Sequence, residues 1–259
     1  MKQAIIDIGS NSIRLTVYET EGQSFRILFR EKIMAGPAGY VEDGKLSAEG
    51  IECACAGLLT FRKILQTLQI ENVRIFATAS LRNISNTARA LSVIRAATGY
   101  SDEVISGEDE ALFGYAGAMR ELHLTGGAFL DIGGASMEIV TFEDNAPVDF
   151  ASFPIGFLSL YRRCVKKILP GDSSLKRLRQ EIGKTIDVSE GALKSRALLV
   201  GVGGTARAAL KLARHYYKIS DDCCSITAEQ LVVSKYGVRE GYLCQKILKD
   251  HTDTPKTGN

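Results

Sequence analysis

At 259 residues, 45% hydrophobic and a formal net charge of +2, the chain has apolar material for one large domain or two modest ones. It carries no Lys/Arg block interleaved with aromatics, so duplex nucleic acid is not an expected partner. No apolar run approaches a bilayer span, so no membrane partner is expected, and MKQAIID enters a strand pattern at once, leaving no room for a signal peptide. The six cysteines (Cys53, Cys55, Cys164, Cys223, Cys224, Cys244) show neither zinc-ligand spacing nor a disulfide framework, and the expected setting is a reducing cytoplasm. Only His123, His215 and His251 are available for imidazole chemistry.

In chain order, alternation over Ala4–Ile8 and Ile13–Tyr18 predicts a hairpin-like strand pair, with a third strand at Phe25–Phe29. Ser47–Gln69 reads as a helix capped by Ser47, its apolar face built from Ile51, Ala54, Leu58, Leu59, Phe61, Leu65 and Leu68. A short strand over Val73–Ala77 leads to a helix over roughly Ser85–Thr98, then a brief strand at Glu103–Ser106 and a helix from near Glu108. That order is a ribonuclease-H-like half. A second half restarts at Ala128, turns at Phe153-Pro154-Ile155-Gly156 and runs helical through Arg196. It closes with a strand from Leu198, the glycines Gly201, Gly203 and Gly204, and a helix over 206–217. The boundary is placed in Leu122–Gly127, giving domains 1–122 and 123–259; His251–Asn259 reads as a polar tail.

The halves repeat one phrase. DIGSNSIRLTVYE at 7–19 and DIGGASMEIVTFE at 131–143 share Asp7/Asp131, Ile8/Ile132, Gly9/Gly133, Ser12/Ser136 and Glu19/Glu143 at the same offsets. Each is a strand, a Gly/Ser-rich turn and a strand, and such turns converge backbone N–H groups on phosphate oxygens. Alone, Asp-x-Gly at a strand end is as well read as a structural turn; its repetition favours a phosphate chain with a divalent metal between two turns. Glu138 occupies the position of Arg14, which is consistent with a salt bridge or with a metal-water ligand opposite a phosphate-binding guanidinium. Glu108-Asp109-Glu110 opens a helix, where acids complement the dipole, and is equally a source of a base for an attacking water. Arg82 is either a surface arginine or a phosphate clamp. Gly203-Gly204-Thr205, at a strand-to-helix junction, is a nest-like anion or nucleotide contact.

Taken with AIIDIGSNSIRL, ATASLR, ISGEDEA, FLDIGGASMEIV, SFPIGFLSL, GVGGTARAA and VVSKYGVREGYL, in that order, the chain resembles the Ppx/GppA phosphatases, exopolyphosphatase and guanosine pentaphosphate phosphatase. These are members of the actin-like, sugar-kinase and Hsp70 ATPase superfamily. The resemblance implies an α/β fold of two ribonuclease-H-like domains facing each other across a cleft, the second shortened. It implies that Glu110 is the general base, with Ser10, Asn11 and Ser12 in the first phosphate loop and Gly133, Gly134, Ala135 and Ser136 in the second. Arg82, Gly204 and Thr205 become phosphate contacts, and Asp7, Asp131 and Glu138 acids near Mg2+ or another divalent cation. The implied reaction is hydrolysis of a phosphoanhydride, with inorganic polyphosphate or guanosine pentaphosphate (pppGpp), the alarmone of the stringent response, as substrate. A non-catalytic polyphosphate or nucleotide sensor and a kinase or ATPase of the same superfamily are the alternatives.

Four departures stand out. Ala135 and Met137 replace Gly and Thr of the family's second loop, and a methyl at Ala135 would crowd a phosphate if φ there is positive. Lys235 sits where Asp is common. Ile226–Gln230 begins a family helix, yet Leu231 passes straight into VVSKYGVREG, omitting several tens of residues. The exposed apolar face this implies is one that a homodimer would cover, or that leaves the fold marginal.

Overall fold

The computed structural model describes residues 1–186, 198–218, 225–227 and 230–249. The chain forms two compact units, Met1–Ser106 with residues 242–249, and Gly107–Gly241.

In the first unit, β1 (Lys2–Ile8), β2 (Ile13–Glu21) and β3 (Ser24–Ile33) form an antiparallel meander. A 3-10 turn at Pro37–Tyr40 and the two-residue strands β4 (Val41–Glu42) and β5 (Lys45–Leu46) precede α1 (Ala48–Thr67). Then come β6 (Val73–Ala77), the single turn α2 (Ala79–Arg82), α3 (Thr87–Thr98) and β7 (Glu103–Val104). The strand order is β3-β2-β1-β6-β7, with β6 parallel to both β1 and β7. β1 is buried over its last six residues because both its faces are covered. Ile6, Ile8, Leu15 and Val17 on the sheet pack with Leu58, Phe61 and Leu65 of α1 and Ile94 of α3. Ser47 starts α1 as its sequence predicts, its hydroxyl accepting from the Gly50 N–H at 3.2 Å.

The second unit repeats the frame. α4 (Gly107–Ala118) opens it, followed by the meander β8 (Gly126–Ile132), β9 (Met137–Glu143) and β10 (Ala146–Phe153), then α5 (Phe157–Cys164) and α6 (Asp172–Thr185). β11 (Leu198–Val202), α7 (Gly203–Tyr217), β12 (Ser225–Thr227), β13 (Gln230–Val233) and α8 (Val238–Tyr242) follow. The sheet runs β10-β9-β8-β11-β13-β12, so third, second, first and fourth strands are neighbours, as in the first unit. Phe129, Val140, Phe142, Val200 and Val202 form a core with Ala111, Tyr115 and Ala118 of α4.

Two expectations change. Ile226, Thr227 and Gln230 are in strands rather than a helix: β12 and β13 pair antiparallel, and β13 joins β11 in parallel. The β-branched Ile226-Thr227 and Val232-Val233 suit a pleated surface better than a helix; Ala228 and Glu229 lie outside the described residues. The division of the chain also differs from a boundary at 122/123. α4 belongs with the second unit because its glycines admit close backbone packing. A Cβ at Gly114 would come 2.7 Å from the Phe129 ring, one at Gly117 would overlap the Gly237 carbonyl, and one at Gly241 would overlap the Phe113 carbonyl. Tyr242 then returns to the first unit, its ring 4.9 Å from that of Phe76 and its hydroxyl donating to Glu103 Oε2 at 3.0 Å. α6 ends at Thr185, and the helix expected to continue to Arg196 falls outside the described residues beyond Ile186, as do Cys223, Cys224 and the polar tail.

Gly241→Ala drives a methyl into backbone that has no side chain to move aside, so a loss of about 2 kcal/mol or more is expected in urea unfolding. A loss within error would show that the two helices separate freely.

Asp102, in the turn before β7, has both carboxylate oxygens buried without a hydrogen-bond partner. Burial pushes its pKa up to about 6, with Arg95 of α3 opposing. The unfolded carboxyl ionises near 3.8, so this group's contribution favours the fold below that value and is lost as pH rises through about 6. Asp102→Asn is therefore expected to stabilise the protein at neutral pH by about 1 kcal/mol, after discounting for its partial exposure, and to do nothing in acid. Thermal melts at both pH values decide this, and an unchanged midpoint at neutral pH would overturn it.

Candidate functional site

Each meander carries, between its first two strands, a turn held from below. In the first, Gly9 N–H donates to Ser12 O at 3.2 Å; in the second, Gly133 N–H donates to Ser136 O at 2.9 Å. Each turn then leans on a glycine that follows the third strand. A Cβ on Gly36 would overlap the Asn11 backbone, and one on Gly156 would sit 2.5 Å from Gly133 O and Gly134 C. The chain after these glycines caps the turn's carbonyls. Ala38 N–H donates to Ser10 O at 3.1 Å, while Phe157 and Leu158 N–H donate to Gly133 O and Gly134 O at 3.0 Å. The carbonyls of Ser10, Gly133 and Gly134 are thus engaged within the protein, and glycine turns of this kind suit an anion through their N–H groups. The repeat does not mark Gly36 and Gly156, because they recur at an offset of 120 rather than 124, after third strands of different length. The signals available are the Gly-Pro and Pro-x-Gly punctuation at those points.

The halves diverge at one register position. Asp7 pairs across the hairpin with Arg14, and Asp131 with Glu138. In the first unit Arg14 Nη1 lies 3.8 Å from Asp7 Oδ2 and its Nε donates to Ser12 Oγ at 3.2 Å. Asp7, Ser10 and Ser12 are all buried. Ser80 Oγ donates to Ile8 O at 3.0 Å, tying α2 to the loop, and Arg82 Nη1 donates to Ile105 O at 3.1 Å.

In the second unit the same position holds an acid. Glu138 is 1% exposed, and Ser152 Oγ donates to its Oε1 at 3.0 Å from the facing position on β10. Burial first, then the Glu110 and Asp131 carboxylates, push its pKa up to about 9, against the hydroxyls of Ser136 and Ser152. Of the three acids opening α4, Glu108 is exposed, Asp109 half-buried and Glu110 buried. Asp131 thus faces Glu138 across the hairpin, and Glu110 is near enough for its charge to act on Glu138. Gly203, which the sequence marks only as part of a nest-like junction, takes φ +79, and a Cβ there would lie 2.7 Å from Asp131 Oδ1. Gly204 faces open space. Thr205 Oγ1 donates to Ile132 O at 2.8 Å, so its proton anchors α7 to β8.

The departures are absorbed. Ala135 is not among the described residues with positive φ, so its methyl carries no backbone strain. Met137 is buried with Ile139 and Ile155, on the face of β9 opposite Glu138, where a hydroxyl would have no polar neighbour to serve. Lys235 pairs with Glu121 at 3.0 Å on the surface.

A model of the Ppx/GppA phosphatase family matches residues 16–232. The chain belongs to the Ppx/GppA phosphatase family. Its structure is similar to that of an exopolyphosphatase from Cytophaga hutchinsonii, with a TM-score of 0.83 and 20% identity over 96% of this chain and 98% of that one. A Ppx/GppA family member from Aquifex aeolicus gives a TM-score of 0.76 and 24% identity over the same shares. At these identities the likeness speaks of fold: the Ppx/GppA chain is α/β, with two ribonuclease-H-like units.

The pKa of Glu138 has a consequence for stability. Its unfolded carboxyl ionises near 4.5, while the folded protein holds the proton to about 9, so this contribution is full below the first value and lost as pH rises to the second. Glu138→Gln is expected to flatten the fall in melting temperature across that interval. A variant that declines as steeply as the wild type would sink the assignment.

Proposed function

We propose that the protein is a phosphoanhydride hydrolase that releases terminal phosphate from inorganic polyphosphate or pppGpp. The observation that carries this reading is the pair of buried carboxyls Glu110 and Glu138, with the half-buried Asp131, beside a glycine turn in a chain of a phosphatase family. Carboxylate oxygens are the donor chemistry of a hard divalent cation such as Mg2+. Among the described residues no three His, Cys, Asp or Glu side chains converge as a ready-made metal cage. Asp131 and Glu138 are the residues that would hold the ion or its water shell. Bound there, it neutralises phosphate charge.

In the second unit the Gly134, Ala135 and Ser136 amides of the turn that Gly133 opens, with Gly204 and Thr205, are phosphate contacts; in the first, the loop at Ser10, Asn11 and Ser12, with Arg82, is a seat of the same kind. Asp7 is held by Arg14 and supports its loop rather than an ion. Glu110 orients water toward the terminal phosphorus and takes its proton as the P–O–P bond breaks and the shortened phosphate chain leaves. Ala135 is unstrained and Met137 belongs to the core, so neither residue disturbs the backbone of the second turn.

Glu110→Gln keeps the shape and removes the base. Phosphate release from polyphosphate or pppGpp with Mg2+ is expected to fall by about 10²–10⁴-fold while binding persists. Chelation of the metal should abolish release in the wild type. A Gln variant as fast as wild type would overturn the role of Glu110; wild-type binding without turnover would favour the sensor, and turnover of ATP alone the ATPase.

A further inference from the structure

The connection from α5 to α6 reads Val165-Lys166-Lys167-Ile168-Leu169-Pro170-Gly171, and Ile168 and Leu169 are 87% and 78% exposed at its tip. Single exposed aliphatics are ordinary, but two adjacent ones held almost bare are not. The loop is built to hold them there. The Tyr161 hydroxyl donates to Ile168 O at 2.9 Å and Lys167 O at 3.2 Å. Arg177 donates to Cys164 O through Nε at 3.1 Å and Nη2 at 2.9 Å. Cys164 and Val165 are buried, so the base of the loop is rooted while its tip projects.

Charge around the tip is one-sided. Arg162, Arg163, Lys166 and Lys167, all exposed, precede it. Residues 157–186 carry eight Lys and Arg against Asp172 and Glu181, a net of +6 in a chain of net +2, so the remainder is acidic overall. Glu181 is already engaged by Lys184 at 3.2 Å and Arg163 at 3.8 Å.

We propose that this loop is a peripheral membrane contact, in which Ile168 and Leu169 enter the interface of an anionic lipid surface and the flanking Arg and Lys side chains meet its headgroup phosphates. Charge complementarity selects the occupant. A second copy meeting this patch with its own would bring like charge. Polyphosphate or nucleic acid would satisfy the cations but offer nothing to two aliphatic side chains. An anionic bilayer does both, and interfacial binding requires apolar insertion and electrostatic attraction together. A hydropathy window that searches for spans does not see such a device: no described helix is long and apolar enough to cross a membrane, and none needs to be. The inference is independent of the hydrolase reading, and absence of phosphate release would leave it standing.

The chain contains no tryptophan, so Leu169→Trp makes a single reporter. The full chain is expected to sediment with phosphatidylcholine–phosphatidylserine vesicles and not with phosphatidylcholine alone, and the indole emission of the Leu169→Trp variant is expected to shift to the blue on binding. Ile168→Asp with Leu169→Asp should weaken sedimentation about tenfold or more, leaving circular dichroism and phosphate release unchanged. Sedimentation without a blue shift, or undiminished in the double variant, would reduce the contact to surface charge and overturn the proposal. So would failure to sediment, or an oligomer in size exclusion that the double variant dissolves.

Discussion

A carboxylate enclosed with two others must share a proton or attract a cation, because burial leaves the repulsion among them poorly screened. Glu138 is in that position, between burial and the charges of Glu110 and Asp131, with the hydroxyls of Ser136 and Ser152 favouring its ionised form. Much of the second unit serves this arrangement. β10 delivers Ser152, α4 delivers Glu110, and Gly203 leaves room for Asp131 by carrying no side chain.

The first unit shows what happens when the same frame is neutralised. Asp7 occupies the position of Asp131, yet its cross-strand neighbour is Arg14, which pairs with Asp7 and also donates to Ser12. One difference at one register position therefore separates an acid paired with a guanidinium from an acid that faces another acid. Both turns keep the same internal N–H to C=O bond and the same close approach to a later glycine, so the backbone is common and the chemistry is not.

Much of this is legible in the chain. The Asp-Ile-Gly repeat locates both turns, and hydrophobic alternation locates the meanders, because strand burial writes a period of two into the sequence. Glu110 cannot be told from Glu108 and Asp109 by composition, since all three suit a helix start; which one faces inward depends on how α4 sits on β9 and β10. Gly156, Gly36 and Gly203 are hidden for a related reason. The close contacts of Gly36 and Gly156 are with turn backbone at Ser10–Asn11 and Gly133–Ala135, and that of Gly203 is with the Asp131 side chain, none of them a neighbour in sequence. The antiparallel pairing of β12 and β13 escapes notice because the family resemblance points to a helix there and outweighs the β-branched residues of that stretch.

The second unit is inserted whole between Ser106 and Tyr242, and this bears on how the molecule comes into being. As the chain leaves the ribosome, residues 107–241 are complete before the first unit has its last piece. Until Tyr242 emerges, Phe76 lacks its aromatic neighbour and Glu103 its phenol donor. The amino-terminal unit, though made first, is thus the later of the two to be finished, and a nascent chain stalled before Tyr242 would present a finished inner module within an unfinished host.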